Sequence, residues 1–238
     1  MLIDMHGHTS GISRCCRADA QSVLRDARAA GIDGIVLSNH YDTNHVGKDT
    51  PAVFAEKYIA EYYRTAKIAA EMGMRLYFAV EVTAHRYNNA HILLYGVEPE
   101  FVRKYPEIYN FTLEEMAKPV HELGGLVVQA HPFRGGGQVL DTGILDAVEI
   151  NCHPLYDETH CERLQEIAHE AGIFVTCGGD YHADTYRAVC GTYFPDDVTC
   201  WADLIAHLRE SNEVKMHVHE LRSEDHRDVT FVKRGKML

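Results

Sequence analysis

Two pairs of side chains in this sequence have the type and spacing of a metal-binding site. His6 and His8 form one pair near the beginning of the chain, and Asp180 and His182 form the other. Residues two apart in an extended strand point to the same side, so each pair can hold one cation. Three further ligand-type residues follow short apolar runs, namely His40, Glu81 and His131. Imidazole and carboxylate groups bind divalent ions, which activate water for hydrolysis.

Short apolar runs rich in Val, Ile and Leu alternate with longer amphipathic stretches along the chain. This alternation is typical of βα units around a parallel sheet. We predict seven strands, a number suited to a barrel: Leu2 to Met5, Gly34 to Leu37, Leu76 to Val80, His91 to Tyr95, Leu126 to Gln129, Ala147 to Ile150 and Phe174 to Cys177. The carboxyl ends of barrel strands converge on one mouth. Because ligand-type residues follow five of these strands, we expect their side chains to meet there.

Helices are predicted between the strands from their apolar period and their end signals. They cover Ala20 to Ala30, Ala52 to Met72, Leu113 to Leu123, Thr159 to Ala171 and Trp201 to Arg209. Asp19 and Thr112 are candidate N-caps, and Gly172 follows a helix end. The alternation from Lys215 to His219 predicts an edge strand. No linker rich in Pro, Ser or Gly divides the chain, so we expect residues 1–238 to form a single domain.

The number of ligand-type residues predicts more than one metal ion. A single histidine after a strand is more often a hydrogen-bonded structural residue than a ligand, but two pairs and three single residues in the same register are hard to attribute to chance. Together they exceed the four ligands of one tetrahedral zinc site. A second H-x-H segment, His217 and His219, has no complementary ligands around it. We assign that segment to a solvated edge strand.

These motifs, in this order, resemble the PHP (polymerase and histidinol phosphatase) domain over almost the whole chain. The resemblance rests on Asp4-x-His6-x-His8-Thr9, Ser38-Asn39-His40, Glu81, Ala130-His131-Pro132 and Gly179-Asp180-x-His182. It implies an α/β fold, a distorted TIM-like (β/α)7 barrel with the metal site at the C-terminal ends of the strands. It also implies two or three divalent ions, zinc, manganese or iron, bound by His6, His8, His40, Glu81, His91, His131, Asp180 and His182. Only the resemblance places His91 in this set, because His91 stands at the start of its predicted strand.

One position departs from the family's pattern. Family members often carry an acidic residue in the segment after the second histidine, where this chain has Arg14. Arginine cannot bind a cation. Either the third ion is absent, or Cys15, Cys16 or Asp19 supplies a ligand, and the cysteines would favour softer metals such as zinc or iron. Plain packing of both cysteines is an equal alternative, and Arg14 could instead hold the phosphate of a substrate.

A second arginine follows the fifth strand. Arg134 stands three residues after His131 and is followed by Gly135-Gly136-Gly137. From such a loop it could present a guanidinium fork to a phosphate, although a solvated loop side chain is an equal alternative. Four other residues after strand ends are expected to support the ligands or to line the pocket: Tyr41, His45, Asn151 and His153.

Composition limits the partners and the location. The formal net charge is −12, with 35 acidic and 23 basic residues, which argues against a broad nucleic-acid or anionic-membrane surface. We expect a small phosphorylated substrate, no long nucleic acid and no membrane, and the oligomeric state stays open. The seven cysteines are odd in number and contain no C-x-x-C pair, which fits a reducing cytoplasm. The chain has no signal-like N-terminus and no run of about 18 apolar residues, so we expect a soluble cytoplasmic protein.

The motifs predict a metal-dependent phosphoesterase, similar to a histidinol phosphatase, that hydrolyses a small phosphorylated metabolite or nucleotide through a metal-bound hydroxide. Asp180, His182 and His131 are the expected proton-transferring residues, and Arg14 and Arg134 the expected phosphate-binding residues. A metal-dependent amidohydrolase is one alternative, although such enzymes often use a strand-end lysine that this sequence lacks. A regulatory domain that binds metal without catalysis is another, because Arg14 interrupts the ligand pattern.

Overall fold

The computed structural model describes residues 1–153, 158–182, 189–220 and 225–233. Its strands form two six-stranded sheets, each with parallel and antiparallel neighbours. In spatial order, the first sheet contains β12 (His226–Val232), β11 (Glu213–His219), β10 (Gly191–Tyr193), β1 (Leu2–Gly7), β2 (Gly34–Leu37) and β4 (Arg75–Phe78). The second sheet contains β3 (His40–Tyr41), β5 (Val80–Ala84), β6 (Ala90–Tyr95), β7 (Leu126–Ala130), β8 (Ala147–Asn151) and β9 (Phe174–Gly178).

The two sheets share one apolar core and approach each other at two places. Ile3 and Met5 on β1 belong to the same buried cluster as Leu93 on β6 and Val128 on β7. At one place the chain passes directly from β4 to β5 through Ala79. At the other, just beyond β9, the Asp180 N–H donates to the His6 carbonyl at 2.8 Å. These approaches bring the ends of β1, β5 and β9 to one side of the molecule.

Strand β6 runs against both of its neighbours. It pairs antiparallel with β5 and with β7, and His91 lies opposite Thr83 on one side and Ala130 on the other. Because β6 is reversed, its first residues lie beside the last residues of β5 and β7. The beginning of this strand therefore faces the same side of the molecule as the carboxyl ends of its neighbours.

Seven α-helices are present in the described part of the chain: α1 (Ala20–Ala29), α2 (Thr43–Val46), α3 (Pro51–Glu71), α4 (Glu100–Lys104), α5 (Leu113–Glu122), α6 (Cys161–Ala171) and α7 (Trp201–Glu210). The predicted caps are confirmed for Asp19, which accepts from the Ser22 N–H, and for Thr112, which forms a capping box with Glu115. None of the helices in the described ranges is long and apolar enough to cross a membrane.

The structure shows the α/β fold of the prediction, but the hydrogen-bonded ladders of the described residues do not close into a seven-stranded barrel. The predicted strand from Leu76 to Val80 is two strands, β4 and β5, which belong to different sheets and are separated by Ala79. Strands β3 and β10 are only 2 and 3 residues long, too short for a periodic pattern in the sequence. The C-terminal hairpin of β11 and β12 adds two more strands that extend the first sheet.

Two predicted elements need correction. Strand β11 is not at the edge of its sheet, because β10 pairs with it on one side and β12 on the other. The predicted helix from Thr159 begins two residues later, at Cys161. His160 has a left-handed backbone with φ 54°, and this conformation cannot be part of a right-handed helix.

Candidate metal centre

The ligand-type residues predicted from the sequence lie together at one end of the strands. His6 and His8 lie at and just beyond the end of β1, and Glu81 lies on β5. The others are on β3, at the start of β6, after β7 and after β9: His40, His91, His131, Asp180 and His182. Their side chains are buried or nearly so. Several groups of three among them have ligand atoms within 4.8 Å of one another.

Glu81 is the centre of this cluster. Its Oε1 lies 2.7 Å from His91 Nδ1, 3.4 Å from His6 Nε2 and 3.4 Å from His131 Nε2. Its Oε2 lies 2.5 Å from His40 Nδ1 and 3.5 Å from His8 Nε2. The two oxygens of one carboxylate therefore face two different sets of imidazoles. A carboxylate in this position can bridge two cations.

Asp180 closes the cluster on the side of β9. Its Oδ1 lies 2.9 Å from His8 Nε2, 3.2 Å from His182 Nδ1 and 3.5 Å from His6 Nε2. Burial alone would raise the pKa of the Asp180 carboxyl, but the imidazoles of His6, His8 and His182 lower it well below its usual range. Burial would also raise the pKa of the Glu81 carboxyl, but the imidazoles of His40, His91 and His6 outweigh burial and lower this pKa well below its usual value. Both carboxylates stay ionised, as metal ligands must be.

The hydrogen bonds behind the histidines determine which ring nitrogen faces the cluster. His6 Nδ1 lies 2.9 Å from Glu149 Oε1, and a carboxylate can only accept, so His6 Nδ1–H donates. His8 Nδ1 lies 3.1 Å from Ser13 Oγ, which donates to Asn39 Oδ1 at 2.8 Å. With Nδ1 held outside the cluster in both rings, Nε2 of both rings points into it, as in metal sites whose ligands are oriented by a surrounding set of hydrogen bonds.

The two Nε2 atoms lie closer together than two lone pairs tolerate. His6 Nε2 and His8 Nε2 are 3.0 Å apart, so one of them carries a proton that the other accepts. Burial alone would lower the pKa of His6, but the carboxylates of Glu149, Glu81 and Asp180 raise it well above its usual value. Burial and the nearby imidazoles of His182 and His40 lower the pKa of His8. Without a metal, a proton on His6 occupies the place that suits a cation.

A second observation also fits a cation in the cluster. His40 Nδ1 and Glu81 Oε2 are buried atoms that form no hydrogen bond, although they lie only 2.5 Å apart. Buried polar atoms without a hydrogen-bond partner are rare, because leaving such an atom unsatisfied costs about 1–3 kcal/mol. A shared divalent ion would satisfy both atoms. The residues of this cluster therefore fit a divalent metal ion, which is the group that their side-chain types suggest.

The reversed direction of β6 explains how His91 joins the cluster. From its position at the start of a predicted strand, His91 would be interpreted as a structural residue without the family resemblance. Because β6 runs antiparallel to β5, His91 lies opposite Thr83, two residues from Glu81 along β5. Its Nδ1 contacts Glu81 Oε1 at 2.7 Å.

His153 also reaches the cluster, where the sequence predicted only a pocket-lining or supporting residue. It is 8% exposed, and its ligand atom lies within 4.8 Å of those of Asp180 and His182. Burial lowers the pKa of His153 to about 4, so its imidazole is neutral and able to bind a cation. His153, Asp180 and His182 form an additional group of ligand-type residues. The only signal for His153 in the sequence is its place after the sixth predicted strand.

Glu149 is a supporting residue that the sequence analysis missed. It is fully buried on β8. Its Oε1 accepts from His6 Nδ1, and its Oε2 accepts from the backbone N–H of His131 at 3.2 Å and from Asn151 Nδ2 at 2.9 Å. One carboxylate thus orients two ligand-type histidines. The available signal was a single acidic residue inside an otherwise apolar predicted strand, since such a charge is rarely buried without a role.

Asp4 holds two strand ends together. Its Oδ1 accepts from the backbone N–H of His6 at 3.0 Å and from that of Gly179 at 2.8 Å. Burial raises the pKa of Asp4 to about 7, against the lowering effect of these two hydrogen bonds. The bonds join the end of β1 to the segment that leads into Asp180. The aspartate of the first motif therefore positions the cluster from behind.

None of the three proposed substitutes for the missing acidic ligand enters a ligand group in the part of the chain described. Cys15 is exposed, and partial burial together with the charges of Glu81 and Asp180 raises the pKa of its thiol to about 11. Cys16 is buried, and its thiol donates to the carbonyls of His8 and Ala18. Asp19 caps α1.

The two arginines lie at different parts of the rim. The Arg14 side chain is exposed and donates to the His45 carbonyl at 3.0 Å, and the His45 ring lies 4.9 Å from that of His40. Arg134 begins a short 3-10 helix, Arg134–Gly136. It lines two cavities, of about 450 and 780 Å³, that share His131. Arg134 is thus placed beside the cluster where a substrate could enter.

The second H-x-H segment lies away from the cluster. His217 Nδ1 contacts Asp228 Oδ1 at 2.8 Å across β11 and β12. The His219 ring stacks on that of His226 with 4.3 Å between centroids. No group of metal-ligand type in the described ranges contains either residue.

Two of the clustered residues have left-handed backbones. His131 has φ 30° and Asp180 has φ 52°, a region that residues other than glycine enter rarely and that Asp and His tolerate better than most. The turn after β7 and the turn after β9 both depend on this conformation. In this conformation His131 Nε2 lies 3.4 Å from Glu81 Oε1, and Asp180 Oδ1 lies 2.9 Å from His8 Nε2.

No protein-family model matches this sequence, and no curated protein matches it either. Solved structures do share its fold. A two-domain protein from Bacteroides vulgatus, containing a predicted PHP-like metal-dependent phosphoesterase, matches with a TM-score of 0.68 at 13% identity over 92% of this chain. The match covers 65% of that protein, so this chain spans less than two thirds of its length.

Two further structures are similar. PsfC from Pseudomonas syringae has a TM-score of 0.59 at 17% identity, over 86% of this chain and 87% of PsfC. An amidohydrolase from Chromobacterium violaceum, solved with bound sulfate and no metal, has a TM-score of 0.51 at 15% identity, over 77% of this chain and 88% of that protein. At these identities the likeness establishes a common fold. Independently of these neighbours, the histidine-carboxylate cluster contains groups of ligand-type residues that could hold metal ions.

We expect zinc binding at His6 and His8 to release protons at neutral pH. The raised pKa of His6 keeps its imidazole protonated at neutral pH when no metal is bound, and an ion must displace that proton to reach Nε2. Calorimetric titration with zinc, repeated in buffers of different ionisation enthalpy, measures the number of protons released. The His217→Ala variant should release as many as the wild type. A binding enthalpy independent of the buffer in the wild type would contradict this expectation.

Proposed function

We propose that this protein is a metal-dependent phosphoesterase that hydrolyses a small phosphorylated metabolite or nucleotide. The observation that carries the proposal is the position of Glu81, whose two carboxylate oxygens face separate sets of imidazoles. Such a carboxylate suits two divalent ions of zinc, manganese or iron that are held side by side. His153, Asp180 and His182 are available to bind a third ion. Two adjacent ions supply an activated water and bind the phosphate oxygens.

The proposed ligands are the eight residues that the resemblance implies: His6, His8, His40, Glu81, His91, His131, Asp180 and His182. Within this set, we assign proton transfer to Asp180, His131 and His182. Asp180 accepts the proton of the attacking water, because its carboxylate is ionised and lies within the cluster. His131 Nε2 lies 3.9 Å from Asp180 Oδ2 and gives a proton to the leaving oxygen. His182 donates through Nδ1 to the Asp180 carbonyl at 2.6 Å, which keeps its Nε2 directed into the cluster.

Substrate binding is assigned to the two arginines of the rim. The Arg134 guanidinium lines both cavities beside His131 and binds a phosphate oxygen in a fork geometry. Arg14 adds positive charge near His45, to whose carbonyl it donates. With a net charge of −12, the rest of the surface repels an extended polyanion. A small phosphoester is therefore favoured over long nucleic acid or an anionic membrane.

Three broader assignments belong to the same proposal. We propose that the two sheets are the halves of a distorted (β/α)7 barrel, since β4 leads into β5 and Gly7 bridges to Tyr181 beside β9. We propose that residues 1–238 form one domain. We also propose a cytoplasmic location, because none of the seven cysteines forms a disulfide, as expected in a reducing compartment.

We expect freshly purified protein to contain at least two divalent ions per chain and to hydrolyse small phosphomonoesters. Elemental analysis of the preparation gives the metal content. The same preparation is then assayed at fixed salt with phosphomonoesters, short oligonucleotides and long single strands. The expected order of kcat/KM is small monoester, then oligonucleotide, then long strand, because a net charge of −12 repels a long polyanion.

Other outcomes would favour the competing functions. Protein with two ions that cleaves no phosphoester but hydrolyses cyclic amides would be an amidohydrolase, although the described cluster contains no lysine. Metal-loaded protein without any hydrolytic activity would be a binding domain. A preference for long strands with steep salt dependence would identify a nuclease, and one ion or none per chain would contradict the bridged arrangement.

A further inference from the structure

Three cysteine side chains meet in the interior, outside the candidate metal centre. Cys152 follows β8, Cys177 lies on β9 and Cys190 precedes β10. All three are fully buried, and their sulfur atoms lie within 4.8 Å of one another. They come from three separate segments of the chain. We call this group the thiol cluster.

The spacing within the thiol cluster suits a metal ion. Zinc binds thiolate sulfur at about 2.3 Å, so two sulfurs at tetrahedral corners lie roughly 3.8 Å apart. Cys152 Sγ and Cys177 Sγ are 3.8 Å apart. Small shifts of side-chain rotamers would bring Cys190 to the same distance. A sulfur-sulfur separation of this size is also far longer than a disulfide bond of about 2.05 Å.

Oxygen atoms near the sulfurs offer a further ligand. The Cys177 thiol donates to the His217 carbonyl at 3.5 Å, and this carbonyl lies on β11, which covers the cluster. The other two buried cysteines of the chain differ from this arrangement. Cys16 donates to backbone carbonyls, and Cys161 accepts from Gln165 Nε2. Each of them stands outside any group of three ligand-type residues in the described ranges.

We propose that Cys152, Cys177 and Cys190 bind one zinc ion that is separate from the ions of the candidate metal centre. Three thiolates prefer thiophilic ions, of which zinc and monovalent copper are the common choices. Zinc leaves a net charge of −1 on the three-thiolate site, whereas monovalent copper leaves −2. A buried site favours the smaller charge, because burying charge is unfavourable.

The position of this zinc ion would connect it to the candidate metal centre. Cys152 directly precedes His153, and Cys177 lies three residues before Asp180. The Cys152 N–H donates to the Gly178 carbonyl at 3.0 Å. A zinc ion on the three sulfurs would fix the ends of β8 and β9, from which these two residues project. This zinc ion has no role in turnover itself.

Cobalt substitution tests the proposal without relying on activity. Because the sulfurs are fully buried, the ion must enter during folding, so the protein is expressed in medium with cobalt in place of zinc. Thiolate ligands give cobalt an intense charge-transfer band in the near ultraviolet, which imidazole and carboxylate ligands do not. We expect this band in the wild type and in His8→Ala. We also expect sulfur neighbours at about 2.3 Å in X-ray absorption spectra of zinc-loaded wild type.

Matched variants locate the band. The double variant Cys152→Ser/Cys177→Ser should lose it, and Cys161→Ser, which changes a buried thiol outside the cluster, should retain it. If the double variant fails to fold, the X-ray absorption spectrum of the wild type decides alone. Metal-loaded wild type without the band and without sulfur neighbours would overturn the proposal, as would a disulfide between Cys152 and Cys177 in freshly purified protein. Binding of copper with exclusion of zinc and cobalt would overturn the assignment to zinc.

Discussion

Replacement of His8 by alanine is expected to abolish turnover, whereas replacement of His217 leaves it near the wild-type value. His8 ends one H-x-H segment and His217 begins the other, but only His8 lies within 3.5 Å of Glu81 and Asp180. Loss of a ligand removes several kcal/mol of transition-state stabilisation, which lowers kcat/KM by about 10³-fold or more. Steady-state kinetics and elemental analysis of both purified variants measure the difference.

Further variants of the same kind sharpen this comparison. Glu81→Ala and Asp180→Ala should behave like His8→Ala, and His219→Ala should behave like His217→Ala. Circular dichroism has to show that each variant is folded. Loss of metal and activity in His217→Ala, with both retained in His8→Ala, would show that the active pair of histidines is the C-terminal one.

Replacement of Glu149 by alanine is expected to weaken metal binding by roughly 10- to 100-fold, the usual effect of removing a partner that orients a metal ligand. Glu149 touches no ion in this proposal. Its carboxylate accepts hydrogen bonds from His6 Nδ1–H and from the His131 backbone N–H, so its loss lets the His6 ring rotate and changes the nitrogen that carries the proton. Competition with a chelator of known affinity measures the metal dissociation constant.

The conservative variant distinguishes positioning from simple damage to the fold. Glu149→Gln keeps an oxygen that can accept from His6 Nδ1 but loses the charge, so it should bind metal more tightly than Glu149→Ala and less tightly than the wild type. A variant with reduced thermal stability and unchanged metal affinity would mean that Glu149 stabilises the packing around β8 and does not position the metal ligands.

The local chemistry of the cluster could be predicted from the sequence, because the two-residue period of a strand is visible there. His6 and His8 share a side of β1, and the residues after the predicted strands meet as expected. The α/β fold follows from the same alternation of apolar runs. These features depend on neighbours in the chain, which a single sequence displays directly.

Features that depend on distant pairing could not be predicted. The direction of β6 is set by its ladders with β5 and β7, and a short apolar run reads the same in either direction, so His91 was placed by resemblance alone. Glu149 and His6 are 143 positions apart, and nothing local in the sequence reveals their contact. The end of β4 at Phe78 was also hidden, because Ala79 does not interrupt the apolar run in the sequence.

The left-handed backbones of His131 and Asp180 set a limit on how stable this fold can become. A residue other than glycine in such a conformation carries strain of about 1–3 kcal/mol, and here the strain falls on two residues whose side chains belong to the cluster. Glycine at either position would relax the backbone and delete a ligand in the same step. Stability and activity are therefore in conflict at two specific residues, a trade-off familiar from enzyme engineering. Thermostabilisation of this protein should begin elsewhere and leave both turns as they are.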